Sequence, residues 1–323
     1  MPITVDQVWR RIKLEAPLVP SLLLQEWVQD EFAFAHDYRL WGYSRIEGAI
    51  TTAAAKSGTA TVTLGSNVVL LNGSLTAAAS DVGRQFRGAG QLPIGILGYT
   101  TSPPSLRLET AYTGNSGLQT SDIVDAWITM APDFQEFIAV WDATNDFDLY
   151  FWATEQDLNR LDPGRTSTGQ PYVLASRSAW PAGITAGLNE TVIATPNQVR
   201  YELWPTTTTA RGYPMLYKKR PPRLQLSDTL PEPLGSRIDW LLSLLLARAC
   251  RWPGTEKRRN PLYSLPSAQD HQKRGIEKLA HLELTDEDRY PTWYQTRTRH
   301  YSYPLDSAFM QSHDYAGGSY GYR

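Results

Sequence analysis

Residues 201–226 read "YELWPTTTTARGYPMLYKKRPPRLQL". Tyr201, Trp204, Tyr213 and Tyr217 stand beside a Thr tract and the basic run Lys218, Lys219, Arg220. Aromatic and basic side chains interleaved in this way can stack bases and hold phosphates. The same letters also fit a strand, a turn and a return strand. Tyr201 and Leu203 alternate with Glu202 and Trp204 before Pro205, and the run from Pro214 leads back toward Pro221-Pro222. Those prolines set the basic run at the exit from a β-rich region, which predicts a closing hairpin and a stiff linker.

Upstream, the whole stretch from Thr51 to Leu226 shares this character. In "GTATVTLGSNVVLLNGS", Ala60, Val62 and Leu64 alternate with Thr59, Thr61 and Thr63, and Gly65-Ser66-Asn67 turns the chain. That pattern predicts a β-hairpin. "FIAVWDATNDFDLYFW" predicts another, turning at Asp142 to Asp146, and "ETVIATPNQVRYELWP" a third, turning at Pro196-Asn197. Short strands at this spacing predict a β-sandwich or barrel-like domain.

Helical periodicity flanks this region. Thr4 and Gln7 have capping-box spacing, and Val5, Val8, Trp9 and Ile12 form one apolar face. After Pro17 and Pro20, a second helix presents Leu24, Trp27, Val28, Phe32 and Ala35. Beyond the Pro-rich linker, Ser236 is placed to cap a helix running to Trp252, with Ile238, Leu241, Leu242, Leu245 and Ala249 inward. Trp240, Leu244 and Leu246 make that helix apolar nearly all round, which predicts burial on several sides. Ser267 and Asp270 open a last helix, and Asp286, Glu287 and Asp288 are expected in a solvated turn beyond it. The predicted class is therefore α+β: a four-helix bundle from residues 1–48 and 227–289, an inserted β-domain at 49–226 and an extended arm at 290–323. The arm holds seven Tyr and one Trp among 34 residues and almost no aliphatics. Such a segment lacks the makings of a core and suits ordering on a partner.

Bulk composition narrows the function classes. A formal net charge of -2 over 323 residues gives no global field toward nucleic acid, so a DNA-binding module is disfavoured. The single cysteine, Cys250, excludes an intrachain disulfide and a thiolate metal cluster and reads as a small buried hydrophobe. Met1 to Arg10 lacks the apolar core of a signal peptide, and no apolar run is long enough to span a bilayer. A soluble chain made in a reducing compartment is expected. No cofactor, metal site or catalytic set is expected. The five histidines have no ligand spacing, and G-x-S-x-G, Walker and G-x-G-x-x-G patterns are absent. Asp142, Asp146 and Asp148 read as turn carboxylates rather than a glycosidase pair or calcium site.

"YELWP", "YPMLYKKRP" and a Leu-rich helix ending in "RWPG" together resemble the head–tail adaptor (connector) proteins of tailed bacteriophages. "HDYRLWGYSRIEG", "GTATVTLGSN…SDVGRQFRGAG" and "LDPGRTSTGQPYVLA" resemble further segments of that family. The similarity covers roughly residues 1–290; a Pro usual within the turn at "TTTTARGYP" is missing here. It implies a virion protein, not an enzyme, assembled in the host cytoplasm into a ring of twelve beneath the portal. The implied partners are the portal, copies of itself, a tail or further neck protein, and viral DNA passing without sequence-specific binding. Tyr294, Arg297, Arg299, Tyr301, Tyr303 and Phe309 would dock the arm on the portal, and Trp240, Leu244 and Leu246 would pack the ring. The alternative is a carbohydrate-binding or depolymerising virion protein using Trp127, Trp141, Trp152 and Trp180 as platforms.

Overall fold

A computed structural model of the chain describes residues 3–181, 185–187, 190–192, 198–255 and 258–289. Two helices, α1 (Val5–Glu15) and α2 (Ser21–Tyr38), lead into a first strand, β1 (Arg45–Thr52). Both halves of the Thr4–Gln7 capping box form.

Six strands then close a barrel. They are β2 (Lys56–Val62), β3 (Val68–Asn72), β4 (Gln85–Gly88), β5 (Ile94–Thr101), β6 (Pro104–Leu108) and β7 (Gly117–Thr129). Each pairs antiparallel with the next in the spatial order β2-β3-β6-β5-β4-β7, and β7 returns to β2. Alternation decides what fills it. Ala60, Val62, Val69, Leu71, Phe86, Ile96, Leu106 and Ile123 point inward, while Val68, Leu70 and Leu118 stand on the outer wall. The 13-residue β7 also serves a second structure. One of its edges binds β2 over 117–123; the other binds β4 over 121–124 and then β13 (Arg200–Thr207) over 125–129.

From β13 an open sheet continues through β11 (Val173–Arg177) to β10 (Tyr150–Thr154), with β10 and β11 parallel. A separate sheet, in the order β1-β14-β8-β9, contains β14 (Arg211–Lys219), β8 (Phe134–Asp142) and β9 (Phe147–Asp148). The two face each other across a core of Ile50, Phe134, Phe137, Val140, Leu174, Leu203, Tyr213, Met215 and Tyr217. A short helix, α3 (Glu155–Leu161), covers the other side of the open sheet through Leu158, Ala153, Val173 and Trp204.

Residues 201–226 therefore do not form a hairpin. β13 pairs with β7 and β11, β14 with β1 and β8, and the chain at Thr208–Ala210 passes from one sheet to the other. A register shift between Glu202 and Thr207 bends β13 toward this crossing. The hairpin expected from "ETVIATPNQVRYELWP" is likewise replaced. Its first strand, β12 (Thr191–Val192), pairs with β5; the expected turn at Pro196-Asn197 lies outside the described residues.

The last elements are α4 (Asp239–Arg251), a ribbon of β15 (Gly254–Thr255) with β16 (Arg258–Arg259), and α5 (Leu265–Arg289). Ser236 does not cap α4; its hydroxyl donates to Pro233 O at 2.6 Å, and the helix starts three residues later. The four-helix bundle with an inserted domain is overturned as the fold class: among the described residues strand (36%) exceeds helix (28%), with five helices and a large multi-strand sheet. Terminal periodicity marked helices correctly but carried no information about how many strands would join one sheet. The terminal helices do share a core with Trp41, Leu230 and Leu234. It is not a regular bundle: α4 and α5 pair with each other, and α1 is tied by main chain to the linker. Val5 N–H donates to Asp228 O at 2.9 Å, Asp6 N–H to Leu226 O at 3.0 Å, and Leu230 N–H to Ile3 O at 3.0 Å. Asp286, expected in a turn, lies within α5 and is fully buried.

Candidate functional site

The segments that carry the phage resemblance converge on buried polar clusters. "YELWP" places Glu202 on the face of β13 turned toward the loop after α3. There the Arg165 Nε donates to one carboxylate oxygen at 2.6 Å and the Arg177 Nη1 to the other at 2.6 Å. Arg165 and Glu202 are both buried, so each charge depends on the other for its solvation. Arg165 holds a left-handed φ of 51° and also donates to Leu158 O, Asp162 O and Asn159 Oδ1. Asp162, from the same "LDPGR" turn, accepts from Thr166 N–H at 3.0 Å, Ser167 N–H at 2.9 Å and Trp204 Nε1–H at 3.1 Å. Burial alone would raise the Asp162 carboxyl; the Ser167, Trp204 and Thr166 donors outweigh it and hold the group down at about 2. "LDPGR" and "YELWP" thus form one lock across β13.

Beside it, Arg177 and Arg200 stack on the Trp127 ring at 4.1 and 4.9 Å, and Arg200 stacks on Trp180 at 4.2 Å. Arg200 also binds Glu109 in bidentate fashion, at 2.8 and 3.0 Å. "SDVGRQFRGAG" builds a second cluster at the barrel. Asp81 receives Lys56 Nζ at 2.6 Å and Ala78 N–H at 2.9 Å, while Arg84 Nε reaches Asp125 at 2.7 Å. Gln85 accepts Trp127 N–H at 2.7 Å.

"HDYRLWGYSRIEG" forms the joint between α2 and the sheets. His36 Nε2 lies 2.7 Å from Lys219 O, an acceptor only, so Nε2 carries the proton and Nδ1 accepts the Tyr43 hydroxyl at 3.0 Å. Burial lowers the His36 pKa, and the nearby Lys218 adds to that; the Lys219 carbonyl works against it. Trp41 Nε1–H donates to Ala35 O at 2.6 Å, Arg39 Nη1 to Glu283 O at 2.9 Å, and Gly42 N–H to Asp286 Oδ2 at 3.1 Å. Lys218 of the basic run is buried, 3.3 Å from Asp37. Tyr213 and Tyr217 are buried too, while Lys219 is half-buried and Arg220 exposed, so the aromatic side chains and Lys218 of the stretch face inward rather than toward a polymer.

Of the four tryptophans proposed as sugar platforms, Trp127 and Trp180 are buried and Trp141 half-buried; Trp152 is exposed. Asp142 is buried and caps its own turn, accepting from Thr144 N–H at 2.8 Å and Asn145 N–H at 3.1 Å. Its burial would raise the carboxyl, but the Asn145 and Thr144 donors take it below the usual carboxylate value. Asp146 and Asp148 stand on the exposed side of the same turn. Cys250 is buried, which pushes its thiol pKa up. Among the described residues no group of three or more His, Cys, Asp or Glu could hold a metal ion. No described helix is long and apolar enough to cross a membrane.

Trp240 is sealed inside this chain, its Nε1–H donating to Leu234 O at 3.0 Å. Leu244 is buried against Gly275 of α5, and Leu246 is half-buried. The chain's own packing therefore accounts for the all-round apolar character of α4. Tyr294, Arg297, Arg299, Tyr301, Tyr303 and Phe309 lie outside the described residues. The lock residues Glu202, Arg165, Asp81 and Arg84 were not singled out from sequence. Their one legible sign is a charge at an inward position between apolar neighbours, as in Tyr201-Glu202-Leu203. No protein-family model matches the chain, and no curated protein matches it either.

Proposed function

We propose that this chain is a structural virion protein, a head–tail adaptor that forms a ring beneath the portal of a tailed phage and joins capsid to tail. One observation supports this most: charge is used within the chain, while apolar side chains are left outside on several faces. Leu14 and Leu22 at the α1–α2 elbow are 82% and 76% exposed, Leu118 on the barrel wall 67% and Trp152 on β10 66%. An assembly subunit needs more than one contact face, because a ring uses two different patches on every copy. Ring contacts fall to these exposed groups rather than to Trp240 and Leu244. Residues 290–323, with Tyr294, Arg297, Arg299, Tyr301, Tyr303 and Phe309, supply the docking arm for the portal. A net charge of -2 suits a channel that lets DNA slide rather than bind.

Mass photometry of the protein alone and with purified portal tests this. The expected result is monomer or weak oligomer alone and a closed ring on the portal. A stable ring formed without portal by protein ending at Arg289 would overturn the templated version. Absence of any complex with portal would overturn the adaptor assignment.

A further inference from the structure

Three helices of the terminal core leave a groove between them. On α2, Trp27, Glu31 and Phe34 fall a turn apart on a single stripe; α4 adds Leu244, Ala247 and Arg251, and α5 adds Ile276. The groove measures about 540 Å³, within the roughly 300–1,000 Å³ usual for binding pockets. Trp27, Leu244 and Ala247 are buried and make an apolar floor, while Phe34 on the wall is 44% exposed.

Charge is divided along it. Toward α2, Arg248 donates to Asp30 at 2.8 Å and also to Glu31, one guanidinium on two carboxylates. At the end of α4, Arg251 is exposed and donates to the neutral Gln272 amide. Pro253 extends the lining, and the β15–β16 ribbon that starts at the next residue sets Arg259 opposite Gly254 and Arg258 opposite Thr255. Both arginines are exposed. Among the described residues Arg251, Arg258 and Arg259 form no ion pair.

The opposite side of α2 carries what this groove lacks. Leu22 precedes Trp27 by five residues, which puts it about 140° away round the helix axis. It is 76% exposed, and Leu14 on the α1 side of the elbow is 82% exposed. Glu15 and Glu26, near them in sequence, are exposed too. Of the nearby cations, Lys13 turns back onto Val19 O at 2.6 Å and Arg10 onto Asp6 at 2.8 Å. Arg11 is left, and Asp30 and Glu31 are acids of the groove that suit it. The elbow is thus an apolar knob bearing carboxylates, and the groove an apolar hole bearing unpaired arginines. Complementary patches on opposite sides of one helix cannot meet within a chain; they meet between copies placed head to tail.

We infer that the α1–α2 elbow of one copy inserts Leu14 and Leu22 into the α2–α4–α5 groove of the next, with Glu15 and Glu26 on Arg251, Arg258 and Arg259. The inference rests on the ring reading above and supplies its subunit contact.

Cysteine trapping with two single variants tests it: Leu22→Cys on the knob and Phe34→Cys on the groove wall, both at exposed positions. Oxidation of their mixture should give on the order of tenfold more covalent dimer than either variant alone, because docking raises the effective concentration of the two thiols. Native protein, whose Cys250 is buried, gives the baseline. Arg251→Glu in the Phe34→Cys chain should remove most of that excess. Leu118→Cys on the barrel wall should give no excess with Phe34→Cys. The trapping is run on concentrated protein alone and on protein bound to portal. Rings on portal without the excess would leave the groove to another occupant and overturn this contact, with the adaptor assignment still standing. The excess in protein that never binds portal would uphold the contact and remove the adaptor assignment. Equal trapping by either variant alone, or by the Leu118→Cys pair, would also overturn the contact.

Discussion

At the scale of single residues, the strongest constraints are charges facing inward. Glu202 is the clearest, because Arg165 and Arg177 share its two oxygens in a site closed to water. Glu202→Gln keeps the shape and removes the charge, leaving two guanidiniums against a neutral amide. A loss of about 3 kcal/mol in urea unfolding is expected, from the usual cost of breaking a buried pair. Asp162 adds a pH signature. Its folded value of about 2 lies below the ordinary 3.8, so its contribution is complete above pH 3.8 and disappears as pH falls from 3.8 toward 2. Asp162→Asn should flatten that acid limb, by no more than about 2 kcal/mol, in stability measured against pH. None of these roles was legible in advance. Sequence shows a charge next to apolar letters, but not that a second charge 37 positions away completes it.

Between elements, the joint at His36 and the contact of α4 with α5 carry opposite kinds of information. His36 is neutral in the fold, with its lowered pKa caused first by burial. Protons therefore bind the unfolded chain more readily: stability is complete above pH 6.5 and is lost as pH falls from there toward the folded value. The thermal midpoint should drop between pH 7 and 5, and His36→Gln should weaken that dependence. Where α4 meets α5, Gly275 sits so close that a Cβ there would lie 2.6 Å from Leu244 Cδ2. Alanine at 275 gains about 1 kcal/mol of helix propensity, but overpacking costs roughly 1–3 kcal/mol. Gly275→Ala should thus be neutral to destabilising by about 2 kcal/mol, and Leu244→Ala in the same chain should recover part of that loss. Helix existence was readable from apolar spacing at Val5, Val8 and Ile12. Strand pairing was not: β13 and β14 look like a hairpin because they are adjacent and alternate, yet each finds partners more than twenty residues away.

For the molecule as a whole, the predictions concern its termini and its surface. Ending the chain at Arg289 should leave a folded protein whose thermal midpoint moves by only a few degrees, since the described cores lie before that point. If the proposed adaptor role holds, particles built with it should show DNA-filled heads without tails; tails still attached would place docking elsewhere. Asp146→Asn with Asp148→Asn should leave assembly and any glycan clearing unchanged, and loss of a measured glycan cleavage in that variant would overturn the structural assignment. A barrel-like domain was one of two readings of the strand-rich region, but which strands close it was not legible, because closure needs β4 to bind both β5 and β7, a pairing no local pattern encodes. That closure also has a mechanical side. β7 belongs to the barrel over its first half and to the open sheet over its second, with β4 and β13 following one another along a single edge. A pull that draws barrel from sheet along β7 loads those hydrogen bonds lengthwise, in shear and all together, rather than opening them one by one. Tension and twist applied at one end would therefore reach the other through one stiff strut.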